Sequence, residues 1–92
     1  MMAGSLCARA GAASAMTVGD RVVLYHRRSR TSVVLNPTGA WLWNELSQPK
    51  SVDELVKKLN ARFPAVSPDQ AARDVDAFVS DMVKHDLLSL TA

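Results

Sequence analysis

The stretch Val33-Val34-Leu35-Asn36-Pro37-Thr38-Gly39-Ala40-Trp41-Leu42-Trp43 decides how this chain folds. A β-branched run stops at an Asn-Pro step, and an apolar pattern of helical spacing begins at once. Asn is a strong N-cap, because its side-chain oxygen accepts a bond from a backbone N–H of the first turn. Pro fits the first helical position, where its missing N–H costs nothing. The chain therefore passes from strand to helix at Asn36, and a sheet edge meets a helix there.

Upstream of that junction, Arg21-Val22-Val23-Leu24-Tyr25 and Thr31-Ser32-Val33-Val34-Leu35 are both β-prone. The polar run His26-Arg27-Arg28-Ser29-Arg30 between them is short enough for a hairpin loop. A weaker strand at 14–18 precedes them, with Gly19-Asp20 as its turn. The result is a three-stranded antiparallel meander whose last strand is an edge with unpaired backbone groups. An edge of that kind beside a helix is a place for an extended peptide to pair.

Downstream, three helices are predicted. The first spans about 37–47, with Leu42, Trp43 and Leu46 at helical spacing, and Gln48-Pro49-Lys50 ends it. Trp41 and Trp43 are two apart and do not share a helix face. Trp43 is in phase with Leu46 and the core, whereas Trp41 falls at a half-exposed position. The second helix opens on Ser51-Val52-Asp53-Glu54, a capping-box pattern, carries an apolar stripe from Val52 to Phe63, and stops at Pro64. The third opens on Ser67-Pro68-Asp69-Gln70. Its stripe (Ala71, Ala72, Val75, Phe78, Val79, Met82, Val83) is wider than one packing contact requires. Leu87, Leu88 and Leu90 close the chain. A sheet followed by three helices, the last two closely linked, points to an α+β, winged-helix-like domain.

Ninety-two residues, 48% of them hydrophobic, make one domain with one modest core. The single cysteine, Cys7, allows no intrachain disulfide, so an oxidising compartment is not required. No apolar run approaches the ~20 residues that span a bilayer. The first fifteen residues are rich in Ala, Gly and Ser. They lack a basic segment ahead of an apolar one, and Arg9 interrupts them, which argues against a signal peptide. Residues 1–12 are expected to form a flexible arm and 13–92 the domain, in a cytoplasmic protein. Met1, Met2 and Met16 all remain open as the start. Net charge is +2 but unevenly placed. Residues 1–36 carry five arginines against Asp20 alone, while 37–92 carry six basic and eight acidic side chains.

The side chains that chemistry needs are not grouped. One Cys and the distant His26 and His85 make no zinc site of standard spacing. There is no glycine-rich phosphate loop and no framed nucleophile. Neither enzymatic activity nor a cofactor is expected.

From about Val22 to Leu88 the chain resembles the PqqD-like family, also called RiPP recognition elements. The residues that carry the likeness are Val22-Val23-Leu24-Tyr25, then Leu35-Asn36-Pro37-Thr38-Gly39-Ala40 with Leu42-Trp43 and Leu46. Ser51-Val52-Asp53-Glu54-Leu55, Asp74-Val75, Phe78-Val79 and Leu87-Leu88 complete it. The resemblance implies three strands followed by three helices and no catalysis. It implies that the leader of a ribosomally made precursor peptide joins the third strand as an added antiparallel strand, in a cleft against the third helix. It implies delivery of that precursor to a maturation enzyme, such as a leader peptidase, cyclase or radical enzyme. The Leu-Asn-Pro-Thr-Gly version is more similar to the lasso-peptide type than to the pyrroloquinoline quinone type. Two positions depart from the family pattern. Ser29-Arg30 stands where the hairpin often has Gly, and Asp86 stands where Gly often ends the third helix.

On that basis the expected peptide-binding residues are Arg30, Thr31, Ser32, Val33 and Val34 on the strand side. On the helix side they are Asp74, Val75, Phe78, Val79 and Met82. Thr31 to Val34 would give backbone rungs, and Val75, Phe78, Val79 and Met82 an apolar wall. Most of that helix stripe also fits plain core packing, Phe78 above all. Asp74 suits a hydrogen bond to the leader or an ordinary solvated charge. Arg27, Arg28 and Arg30 suit either attraction of acidic leader residues or protection of the edge against self-pairing. The rival reading is a winged-helix DNA-binding protein with the third helix in the major groove. From 67 to 86 that helix region carries five aspartates against Arg73 and Lys84, which phosphate would repel.

Overall fold

The structure, a computed structural model, describes residues 5–91. Its elements are β1 (Leu6–Arg9), β2 (Ala13–Val18), β3 (Arg21–His26), β4 (Ser32–Leu35), α1 (Pro37–Glu45), β5 (Lys50–Ser51), α2 (Val52–Arg62), α3 (Pro68–Lys84) and β6 (Leu88–Thr91). The expected meander is present as an antiparallel sheet in the order β2-β3-β4. A second antiparallel sheet, in the order β5-β1-β6, joins the two ends of the chain.

Local chemistry sets each boundary. Gly19, at φ 63, turns β2 into β3. In the next hairpin the His26 N–H donates to the Thr31 carbonyl at 2.9 Å, and the Arg30 N–H donates to the His26 carbonyl at 2.8 Å. Arg30 sits at φ 59, so an arginine holds the left-handed position that glycine takes most easily. The His26 ring stabilises the loop from within: Nδ1 accepts the Arg28 and Ser29 N–H groups at 3.2 and 3.1 Å. At the strand-to-helix junction Asn36 Oδ1 accepts the Gly39 N–H at 2.7 Å, as the N-cap assignment requires. The capping box of α2 is reciprocal between Ser51 and Glu54, and Ser67 caps α3.

At its far end α3 closes with a Schellman motif. The Leu87 N–H reaches back to the Met82 carbonyl at 2.9 Å, and the Asp86 N–H to the Val83 carbonyl at 3.0 Å. Asp86 takes the left-handed turn at φ 57. Arg30 and Asp86, where the resemblance led to an expected glycine, therefore both fall at positive φ.

One core runs through the molecule. Leu24 and Leu35 of the meander meet Leu42, Trp43 and Leu46, the α2 stripe (Val52, Leu55, Leu59), the α3 stripe (Ala71, Val75, Val79, Met82) and Leu87 and Leu88. Cys7 belongs to it as well, with no exposed surface. That corrects the expectation of a flexible arm over 1–12 for the described part of it. Leu6–Arg9 is a strand, paired with β5 on one side and β6 on the other. The Arg9 guanidinium lies 4.5 Å from the centre of the Trp43 ring and donates to the Trp43 carbonyl. The remainder of the arm, residues 1–4, and the start positions Met1 and Met2 lie outside the described residues. Trp41 is half-buried and meets Phe63 edge-on at 5.9 Å.

Candidate functional site

β4 is an edge strand. Its register with β3 pairs Leu35 with Val22, Val34 with Val23, Val33 with Leu24 and Ser32 with Tyr25. The His26–Thr31 bond marks one hydrogen-bonded pair, and such pairs alternate along an antiparallel ladder. Thr31, Val33 and Leu35 therefore turn their backbone groups inward to β3, while Ser32 and Val34 turn theirs outward. Among the described residues nothing pairs with that outer side. β1, an obvious internal competitor, is committed to the other sheet.

The open edge faces α3 across a groove of about 520 Å³. Val33, Val34 and Leu35 form one wall, and Asp74, Ala77, Phe78, Asp81 and Met82 form the other. Asn36, Thr38 and Gly39, from the cap and first turn of α1, close one end. The opposite end of α3 lies toward the β3–β4 hairpin, since Asp86 shares a shallow depression with Arg27 and Arg28. Hence α3 and β4 run antiparallel to one another. An extended chain pairing antiparallel to β4 would run parallel to α3.

The structure gathers five of the ten expected residues into this groove: Val33, Val34, Asp74, Phe78 and Met82. Phe78 is half-buried and not wholly internal. Val75 and Val79 are fully buried and point into the core, so they do not wall the groove. The reason is phase: 71, 75, 79 and 82 form the core stripe, and 74, 77, 78, 81 and 82 form a neighbouring stripe rotated toward β4. Arg30 and Thr31 lie in the hairpin outside the groove, and the Thr31 carbonyl is already taken by His26. Ser32 adds backbone on the open side. The lining also includes Leu35, Asn36, Thr38, Gly39, Leu42, Ala77 and Asp81, which sequence reasoning did not single out for binding. The second stripe on α3 was the signal for the last two.

Asp74 is half-buried and accepts the Gln70 side-chain N–H at 2.6 Å, which fixes its carboxylate at the groove wall. Asp81 is exposed at the rim. The face behind the groove, on the solvent side of the meander, is apolar in one cross-strand row: Met16, Val23 and Val34. Met16 and Val34 are 60% and 55% exposed. Among the described residues no group of three or more His, Cys, Asp or Glu is placed to hold a metal ion. Among the described residues no helix is long and apolar enough to cross a membrane.

Comparison with known proteins fits this geometry. The chain is similar to a solved structure, TbiB1 in complex with the TbiA(beta) leader peptide, at 26% sequence identity and a TM-score of 0.79. The match covers 89% of this chain and 94% of that one. No curated protein matches. The family described as coenzyme PQQ synthesis protein D (PqqD) matches residues 21–88, a span that holds β3, β4, the three helices and both walls of the groove. On that match the chain belongs to the PqqD family.

Proposed function

We propose that this chain is a non-catalytic recognition protein, a RiPP recognition element of the lasso-peptide type. In this reading it binds the leader of a ribosomally made precursor as an extra antiparallel strand on β4 and presents it to a maturation enzyme. The observation that carries the reading is the open β4 edge set against a half-apolar groove on α3. The likeness to a protein solved with a leader peptide supports it. Strand addition satisfies main-chain donors and acceptors on both partners with little demand on sequence, and the groove beside the edge supplies selectivity. The leader loses chain entropy as it orders, which trims the net affinity. Dissociation constants in the nanomolar to low micromolar range are expected, on the order of −8 to −12 kcal/mol.

The test is fluorescence polarisation with labelled leader peptides of the precursor encoded beside this chain, and with duplex DNA in parallel. Saturable leader binding is expected. Val34→Pro should abolish it and leave the circular dichroism spectrum and melting temperature nearly unchanged. The Val34 N–H faces outward, so proline removes a donor offered to the peptide and no rung to β3. Tight DNA binding without peptide binding would reverse the reading.

A further inference from the structure

We propose that the groove selects leaders with two cationic side chains four residues apart, flanking a central apolar one, and that Asp74 and Asp81 read the two cations. This inference rests on the leader-binding reading above and specifies the substrate class of the same groove. Its walls carry two carboxylates and no basic side chain. Between them on the same stripe lies apolar surface, chiefly Phe78, with Met82 beneath it.

The spacing follows from backbone geometry. Seven helical residues separate the carboxylates by about 10 Å along α3. A strand on β4 rises about 3.4 Å per residue and turns every second side chain to the same face. Three successive groove-facing side chains therefore span about 14 Å. The middle one falls over Phe78, and the outer two overreach the carboxylates by a distance that flexible Lys or Arg side chains readily close.

Asp74 is oriented for this by Gln70. As a peptide covers the groove, water leaves and the attraction of each carboxylate for a cation strengthens. Asp69 and Asp76, on the same helix but outside the groove, have no such role. The strand's alternate side chains, paired with Ser32 and Val34, face the other way and escape this selection.

The experiment is selection of random twelve-residue peptides displayed on phage against the intact chain, and against a folded Asp74→Asn/Asp81→Asn double variant. The wild-type pool should be enriched in Lys or Arg at positions i and i+4 around an apolar residue at i+2. The double-variant pool should keep the apolar residue and lose the cations. Replacing each lysine of a selected peptide by glutamine should weaken binding to the wild type about three- to fivefold and to the double variant hardly at all. Pools from both proteins that bind through β4 but share one charge preference would overturn the inference and leave the leader-binding reading standing. Failure of the wild type to enrich any peptide would overturn both.

Discussion

Asp86 and Arg30 show how two single residues carry backbone conformations that glycine would adopt without strain. At the end of α3, Asp86 occupies the left-handed position of a complete Schellman motif. A side chain with a Cβ pays roughly 1–2 kcal/mol there, and Asp somewhat less because it hydrogen-bonds locally. Glycine would relieve that strain and lose part of the gain to its freer unfolded chain. Asp86→Gly is therefore expected to stabilise the protein by about 0.5–1 kcal/mol, a rise in melting temperature of about 2–8 °C. Asp86→Asn keeps the tolerance for the conformation and removes only the charge, so it should melt with the wild type. Calorimetry on the two variants separates backbone strain from electrostatics. The sequence made both positions legible because a departure from an expected glycine points to a turn. Phase at single residues was less legible: Val75 and Val79 sit one helical step from the groove, and only tertiary packing decides which of two adjacent stripes faces inward.

Among the elements, β2, β3, β4 and all three helices were readable from their own residues, since each carries a cap, a periodic stripe or a turn signal. The β5-β1-β6 sheet was not. Leu6–Arg9 is four residues without alternation, β5 is two, and β6 continues a leucine-rich tail. Each exists because the others pair with it, and the Leu6–Thr91 pairing spans almost the whole chain. Cys7 lies at the centre of that sheet, and burial pushes its thiol pKa up. Two outcomes follow for β1. In the native protein a thiol reagent should label Cys7 only as β1 opens, and Arg9→Ala, which removes the contact with Trp43, should speed labelling more than it lowers the melting temperature. The unfolded chain's thiol ionises at lower pH than the folded one. Above the ordinary thiol range the unfolded state therefore binds fewer protons, and stability should fall as pH rises. Urea melts at pH 7 and pH 10 should show that loss in the wild type and a smaller one in Cys7→Ala.

At the scale of the whole molecule the groove lies on a charge seam. The meander and its hairpins carry Arg21, Arg27, Arg28 and Arg30 against Asp20, and α3 faces it with acidic side chains. Arg27 is tied down by its bonds to the Gly11 carbonyl and Ser14. Arg28 and Arg30 are exposed, and among the described residues neither forms an ion pair. A leader running antiparallel to β4 would leave the groove past Ser32, so the residues that follow its docked segment would pass these two arginines. If the arginines steer, leaders with acidic residues there should associate faster at low salt, and the advantage should fade as ionic strength rises and the screening length drops below about 10 Å. Arg28→Ser/Arg30→Gly should remove that salt dependence without disturbing the hairpin, because glycine suits φ 59 better than arginine does. If leaders with and without those acidic residues associate with the wild type at equal stopped-flow rates at every salt concentration, steering is excluded and the arginines act as guards of the open edge. The same double variant would then self-associate through β4 in sedimentation runs, because an unpaired edge with no charge beside it is a template for a second copy.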